Sequence, residues 1–134
     1  PAEEECRLGN DAGAREYLMD LMSKRDASYS CAQKSGTSMG KLTSDYTGSL
    51  LEEIIIQRRI ELWGEFGRIY DIRRLKQGFK RTAEMGWPTD ALLVNRNAND
   101  PESYMWVLTI PQTEFDGNSS LDQTKDQNPV GDTK

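Results

Sequence analysis

"SLLEEIIIQRRIELWGEFGRIYDIRRL", residues 49–75, decides the fold of this chain. It opens with Ser49-Leu50-Leu51-Glu52, the Ser-x-x-Glu form of a capping box. There, serine and glutamate each satisfy a backbone N–H that the first helical turn leaves unpaired. From Ser49 the helical pattern runs on to Leu75. At about 100° per residue, Leu51, Ile55, Leu62, Phe66 and Ile69 share one face, with Trp63 and Tyr70 on its flank. Ile56 and Ile60 widen the apolar arc, which predicts a long helix buried on more than one side. Gly64 and Gly67 each cost a helix about 1 kcal/mol relative to alanine, so their presence predicts close packing or a local bend.

Charged residues thread through the same stretch. Arg58, Glu61, Glu65 and Arg68 form a stripe beside the apolar arc, and the steps from Arg58 to Glu61 and from Glu65 to Arg68 bring opposite charges within reach. Arg59 falls inside the arc, where its guanidinium must snorkel or meet a partner. With Asp71, these residues read as a structural ion-pair network that fixes the helix against its neighbours. The competing reading makes Glu61 and Glu65 a carboxylate pair for glycoside cleavage, since retaining enzymes hold two carboxyls about 5–5.5 Å apart. Two acids on one helix face do not build a cleft, however. Flanking arginines would also keep both ionised, whereas a general acid needs a raised pKa. No catalytic residue is nominated.

Outward toward the N-terminus, residues 2–8 read as the last turns of a helix, stopped by Gly9 in the position that favours a left-handed conformation. Asn10 and Asp11 offer the N-cap of a second helix over residues 11–27. Its buried face is Ala14, Tyr17, Leu18, Leu21 and Met22, and residues 2–29 form an antiparallel helical hairpin. Residues 30–48 are rich in Ser, Thr and Gly and predict a long, exposed and mobile connection.

Outward toward the C-terminus, residues 76–134 are irregular. Gly78, Gly86-Trp87-Pro88 and Asn99-Asp100-Pro101 mark turns. "YMWVLTI", residues 104–110, predicts a short strand or extended segment ending at Pro111. "PQTEF", residues 111–115, predicts one helical turn opened by proline. The polar tail from Asp116 is expected to lack order unless pinned on the body. Trp87 beside Pro88 is the one candidate ligand contact, as a sugar-stacking platform, against the alternative that it caps a core. Asn118-Ser119-Ser120 matches an N-glycosylation sequon, a pattern common by chance.

At 134 residues the chain holds one domain with a real core. A net charge of -5 provides no basic field for nucleic acid, which is excluded as a partner. The absence of histidine removes His-based triads and His metal sites, and two cysteines make a poor zinc site. No metal or cofactor is implied. Cys6 and Cys31 are expected as two free, packed thiols, and the acidic run before Cys6 makes it an implausible lipid-attachment site. No apolar run approaches the roughly 20 residues that span a bilayer.

Several blocks in order carry a resemblance: "RLGN" at residues 7–10, then "LLEEIIIQRRIELWGEFGRIYDIRRLKQG", "WVLTIPQTEFDGN" and "DQNP". Together they resemble the C-terminal part of the SusD/RagB family, lipid-anchored outer-membrane proteins of Bacteroidetes that bind glycans or peptides and sit on a TonB-dependent transporter. The family's E-R-R-x-E-L-W-G-E-G-F/Y-R stretch reads here with Gln57 for the first acid and with Phe66-Gly67 in reversed order. Its P-I-P-Q-S-E block begins with Thr109 in place of the first proline.

The resemblance implies a mainly α fold: a tetratricopeptide-like helical hairpin, a long buried helix, long irregular loops and a short extended segment near the C-terminus. It further implies that residues 1–134 are a single C-terminal region of a longer, cell-surface protein, with ligand contacts mostly upstream and membrane attachment through a lipid anchor absent from this chain. Implied partners are a TonB-dependent outer-membrane transporter and an oligo- or polysaccharide. The implied function is non-catalytic nutrient binding and uptake, with this region mainly scaffold. The alternative reading is a helical protein-interaction module without saccharide binding.

Overall fold

The computed structural model describes residues 1–65, 67–88, 100 and 103–130, with Met105 described by its backbone alone. The chain forms two compact units, Pro1–Arg68 and Ile69–Lys134. Six α-helices are present among the described residues, and no β-strand. Phe66, Asn99 and Pro101 lie outside the described residues, so the readings placed on them do too.

In the first unit, α1 (Ala2–Arg7) and α2 (Asp11–Met22) form the expected hairpin. Gly9, at φ +82°, turns the chain between them. Its N–H donates to Cys6 O and that of Asn10 to Glu5 O, which gives α1 a Schellman end. Asn10 caps α2, its Oδ1 accepting from Gly13 N at 3.1 Å. Helix α2 stops at Met22, short of the predicted 27. The reason is local: Asp26 Oδ1 takes both the N–H and the hydroxyl of Ser28 at 2.8 and 2.6 Å, so polar side chains divert the backbone into turns.

The predicted helix over 49–75 is two helices, α3 (Leu50–Glu61) and α4 (Arg68–Arg74). Gly64 sits at φ +81° in the intervening segment. A left-handed residue cannot continue a right-handed helix, and glycine adopts that conformation at no steric cost. The break also undoes the far half of the predicted buried face. Leu50, Leu51, Ile54 and Ile55 are buried, whereas Ile60, Trp63, Ile69 and Tyr70 are exposed. Together with Cys6, Ala14, Leu18, Met22 and Cys31, the first four make the core of this unit. Tyr17 and Leu21, expected on the buried face of α2, are exposed as well.

Residues 30–48 are mostly exposed, as their composition predicts, and long-range hydrogen bonds tie them to the helices. Arg15 Nη1 donates to Lys34 O at 2.9 Å, and Asp11 Oδ2 accepts from Gly36 N at 3.0 Å. The segment then satisfies the start of α3. Ser35 O and Gly36 O accept from Leu50 N and Leu51 N, both at 3.1 Å, and Ser49 Oγ accepts from Glu52 N at 3.0 Å. With Ser49 N donating to Thr47 Oγ1 at 3.4 Å, all four N–H groups that a helix leaves unpaired find protein partners. The capping box is a variant form. The Glu52 carboxylate reaches past Ser49 to Thr47 N and Gly48 N, at 2.8 and 2.7 Å.

In the second unit, Ile72 of α4 and Trp106 are buried together, with Phe79 packed against them. The Phe79 and Trp106 rings meet edge to face, centroids 5.1 Å apart. Arg73 donates to Trp106 O, and Trp106 Nε1 donates to Asp100 O at 2.9 Å. Residues 104–106, read as the start of a strand, form a 3-10 turn instead. The tail carries α5 (Gln112–Gly117) and α6 (Gln123–Asp126) and is pinned. The Gln127 side chain accepts from Ile110 N at 2.8 Å and donates to Ile110 O at 3.0 Å, while Asn128 Nδ2 donates to Leu108 O at 2.7 Å. Side-chain amides here take the place of a neighbouring strand, which explains why an extended-looking sequence pairs with no sheet.

Candidate functional site

The residues of the predicted ion-pair network have different surroundings. Glu61 pairs with Arg25, which lies beyond the end of α2, and Asp71 pairs with Arg74 at 2.7 Å. Arg58 is exposed and Arg68 half-buried. Arg59 is exposed, so the break in the helix frees its guanidinium from the apolar arc, and Glu65 is exposed too. Of the two acids in the competing carboxylate-pair reading, Glu61 is therefore engaged by Arg25. Among the described residues, no group of three or more Cys, Asp or Glu side chains is placed to hold a metal ion.

A denser polar cluster joins the loop to α3. Glu53 accepts from the Tyr29 hydroxyl and from Gln57 Nε2, both at 2.8 Å, and its other oxygen meets Lys34 Nζ at 3.2 Å. Burial pushes this carboxyl up, but the bonds from Gln57, Tyr29 and Lys34 outweigh it and hold Glu53 below its usual value. Burial and the same Glu53 contact push the Tyr29 phenol up. The depressed Glu53 group stabilises the fold above its ordinary value of 4.5 and loses that contribution as pH falls through its lower folded value. Glu53→Gln is therefore expected to lower stability at neutral pH and to leave a shallower acid limb, read as Tm between pH 6 and pH 3.

Both cysteines are free and buried. Cys6 Sγ lies 3.6 Å from Gly36 O and 4.0 Å from Asp11 Oδ1. Burial pushes both thiols up, reinforced for Cys6 by the Asp11 charge, so both stay protonated at neutral pH. A thiol that is neither exposed nor ionised reacts slowly. The native chain is expected to resist Ellman's reagent and to expose two reactive thiols in denaturant.

Trp87, the sequence-derived ligand candidate, is 43% exposed. The Arg81 guanidinium stacks over its ring at 4.2 Å and over the Phe79 ring at 4.6 Å. One face of the indole is therefore taken, and Arg81 links Trp87 to the Phe79–Trp106 pair. Asn118 of the sequon uses its Oδ1 to accept from Ser120 N at 3.0 Å.

Two grooves in the first unit were not legible from the sequence, because both depend on where α3 ends. One, of about 380 Å³, has mainly apolar walls that include Tyr17, Leu18, Leu21, Ile54 and Leu62, with Arg58 and Glu61 at its edge. The other, of about 420 Å³, follows the helix break and is lined by Tyr46, Arg59, Ile60, Trp63, Glu65 and Arg68 among others. Trp63 is 87% exposed and Tyr46 73%.

Compared with known proteins, the chain matches the model of the SusD family over residues 2–129. No curated protein and no solved structure matches it.

Proposed function

This chain belongs to the SusD family, and from that premise we propose that it works in non-catalytic capture and uptake of an oligo- or polysaccharide at the bacterial cell surface. The family is one of outer-membrane nutrient-binding proteins. In this reading the partner is a TonB-dependent transporter, and membrane attachment is through a lipid anchor, as the family resemblance implies. Capture means that a surface site raises the local ligand concentration and hands the ligand on with no bond broken. The observation that carries the proposal is the family match over residues 2–129. The Arg25–Glu61 pair supports its non-catalytic character, because it ties up one of the two acids that glycoside cleavage would require.

Most of these residues serve as scaffold. The Arg25–Glu61 and Asp71–Arg74 pairs act in structure and not in chemistry. A second reading, a helical protein-interaction module, draws on the apolar groove that exposes Tyr17 and Leu21.

Affinity gel electrophoresis of the full gene product against soluble starch, xylan, mannan, pectin and dextran separates the two. Retardation by at least one polysaccharide supports capture. Retardation by none, with a protein partner bound through the Tyr17–Leu21 groove, supports the second reading.

A further inference from the structure

We propose that the groove at the helix break, between Tyr46 and Trp63, is a saccharide-binding site, and that it serves in place of the Trp87 platform. The inference rests on the glycan-capture reading above and adds a location and a chemistry to it.

The groove begins with a backbone event. Helix α3 ends at Glu61, Gly64 takes a left-handed conformation, and nothing lies within 4 Å of the position a Cβ would occupy there. Trp63 is thereby left on the surface, 87% exposed, with Tyr46, 73% exposed, lining the same depression. Rings that exposed contribute little to the core of the unit. Their flat apolar faces match the C–H faces of a pyranose, and a ring has few torsions to freeze on binding.

The remaining walls favour a hydroxylated ligand over a protein surface. Arg59, Glu65 and Arg68 line the groove beside Ile56 and Ile60. Arginine is common at protein interfaces, but glutamate is depleted there, so Glu65 is the wall residue that favours a sugar: beside the planar guanidinium groups it presents paired donors and acceptors of the kind that adjacent sugar hydroxyls require. No described residue forms a salt bridge with Arg59 or Glu65. Both can therefore turn to a ligand without breaking a pair inside the fold. At about 420 Å³ the groove falls within the range of about 300–1,000 Å³ typical of small-ligand sites. Trp87 compares poorly, because Arg81 already occupies one face of its ring.

The test uses the 134-residue chain itself, with maltoheptaose, xylohexaose, cellohexaose and mannohexaose as probes in isothermal titration. Wild type is expected to bind at least one of them. Trp63→Ala is expected to weaken that binding about tenfold or more, as loss of a central aromatic anchor does, with Tyr46→Ala weakening it less and Trp63→Phe retaining most of it. Because both rings are exposed, all three variants are expected to keep the wild-type circular dichroism and Tm. Loss of binding in Trp87→Ala with none in Trp63→Ala overturns the proposal. So does wild-type dimerisation that Trp63→Ala abolishes while no probe binds. If the full gene product binds polysaccharide and this chain binds no probe, the groove assignment fails and the capture reading stands.

Discussion

Leu51→Ala is expected to lower the unfolding free energy of the first unit by about 3 kcal/mol, within the 2–5 kcal/mol range for emptying a buried leucine site. Leu51 is 1% exposed in the first turn of α3, in a core shared with Cys6, Ala14 and Leu18. Four side-chain heavy atoms reduce to one, and the flanking backbone cannot close the gap. Leu51 N is fixed to Gly36 O on one side, and Glu52 anchors the preceding loop on the other. Ile60→Ala, at an exposed position of the same helix, is expected to cost less than about 0.5 kcal/mol. Urea titrations followed at 222 nm measure both, through a midpoint shift at constant slope. Equal losses at the two positions would mean that Ile60 is buried in solution.

The second large effect is expected at Glu52. Its carboxylate is buried and accepts from Thr47 N at 2.8 Å and from Gly48 N at 2.7 Å. Glu52→Ala removes the acceptor for both donors. At about 1–3 kcal/mol for each donor left unsatisfied, the loss is expected near 3 kcal/mol, softened where water reaches the exposed side of the loop. Glu52→Gln keeps one acceptor oxygen and is expected to cost about half as much. Amide hydrogen exchange supplies the local readout. Thr47 and Gly48 should lose protection in Glu52→Ala, while amides in the middle of α2 fall only by the global change.

The hairpin and the start of α3 were readable because each is written in short-range chemistry. Gly9 as a left-handed stop, Asn10 as a cap and Ser49-x-x-Glu52 as a helix start all act within a few residues, and all three appear in place. The end of α3 was not readable in the same way. Leu62, Trp63 and Ile69 continue the helical period, and only the conformation of Gly64 decides that the helix stops. Glycine in a helical pattern signals either close packing or a stop, and nothing nearby distinguished the two.

Ordering of residues 30–48 was hidden for a different reason. Its anchors, Asp11 to Gly36, Arg15 to Lys34 and Ser49 to Ser38, join positions far apart in sequence. A Ser/Gly-rich composition describes the segment and not its partners. The same applies to the tail, where Gln127 and Asn128 reach back to residues 108–110.

For the candidate site, composition identified Trp87 because it stands beside a proline in a turn. What it lacked was Arg81 over the ring. Trp63, by contrast, looked like a flank of the core, and only the break in the helix exposes it. The charged residues around it looked like wiring for the same reason, since a continuous helix would have turned Arg59 inward.

Turnover is the most direct test of non-catalytic capture. The full gene product would be incubated overnight with the polysaccharide that retards it best, and the recovered glycan analysed for chain length and for new reducing ends. Recovery at unchanged length, with no reducing ends above the protein-free control, is the predicted result. Shortened chains whose appearance is abolished by Glu65→Gln would contradict it and return Glu61 and Glu65 to the role of catalytic carboxylates.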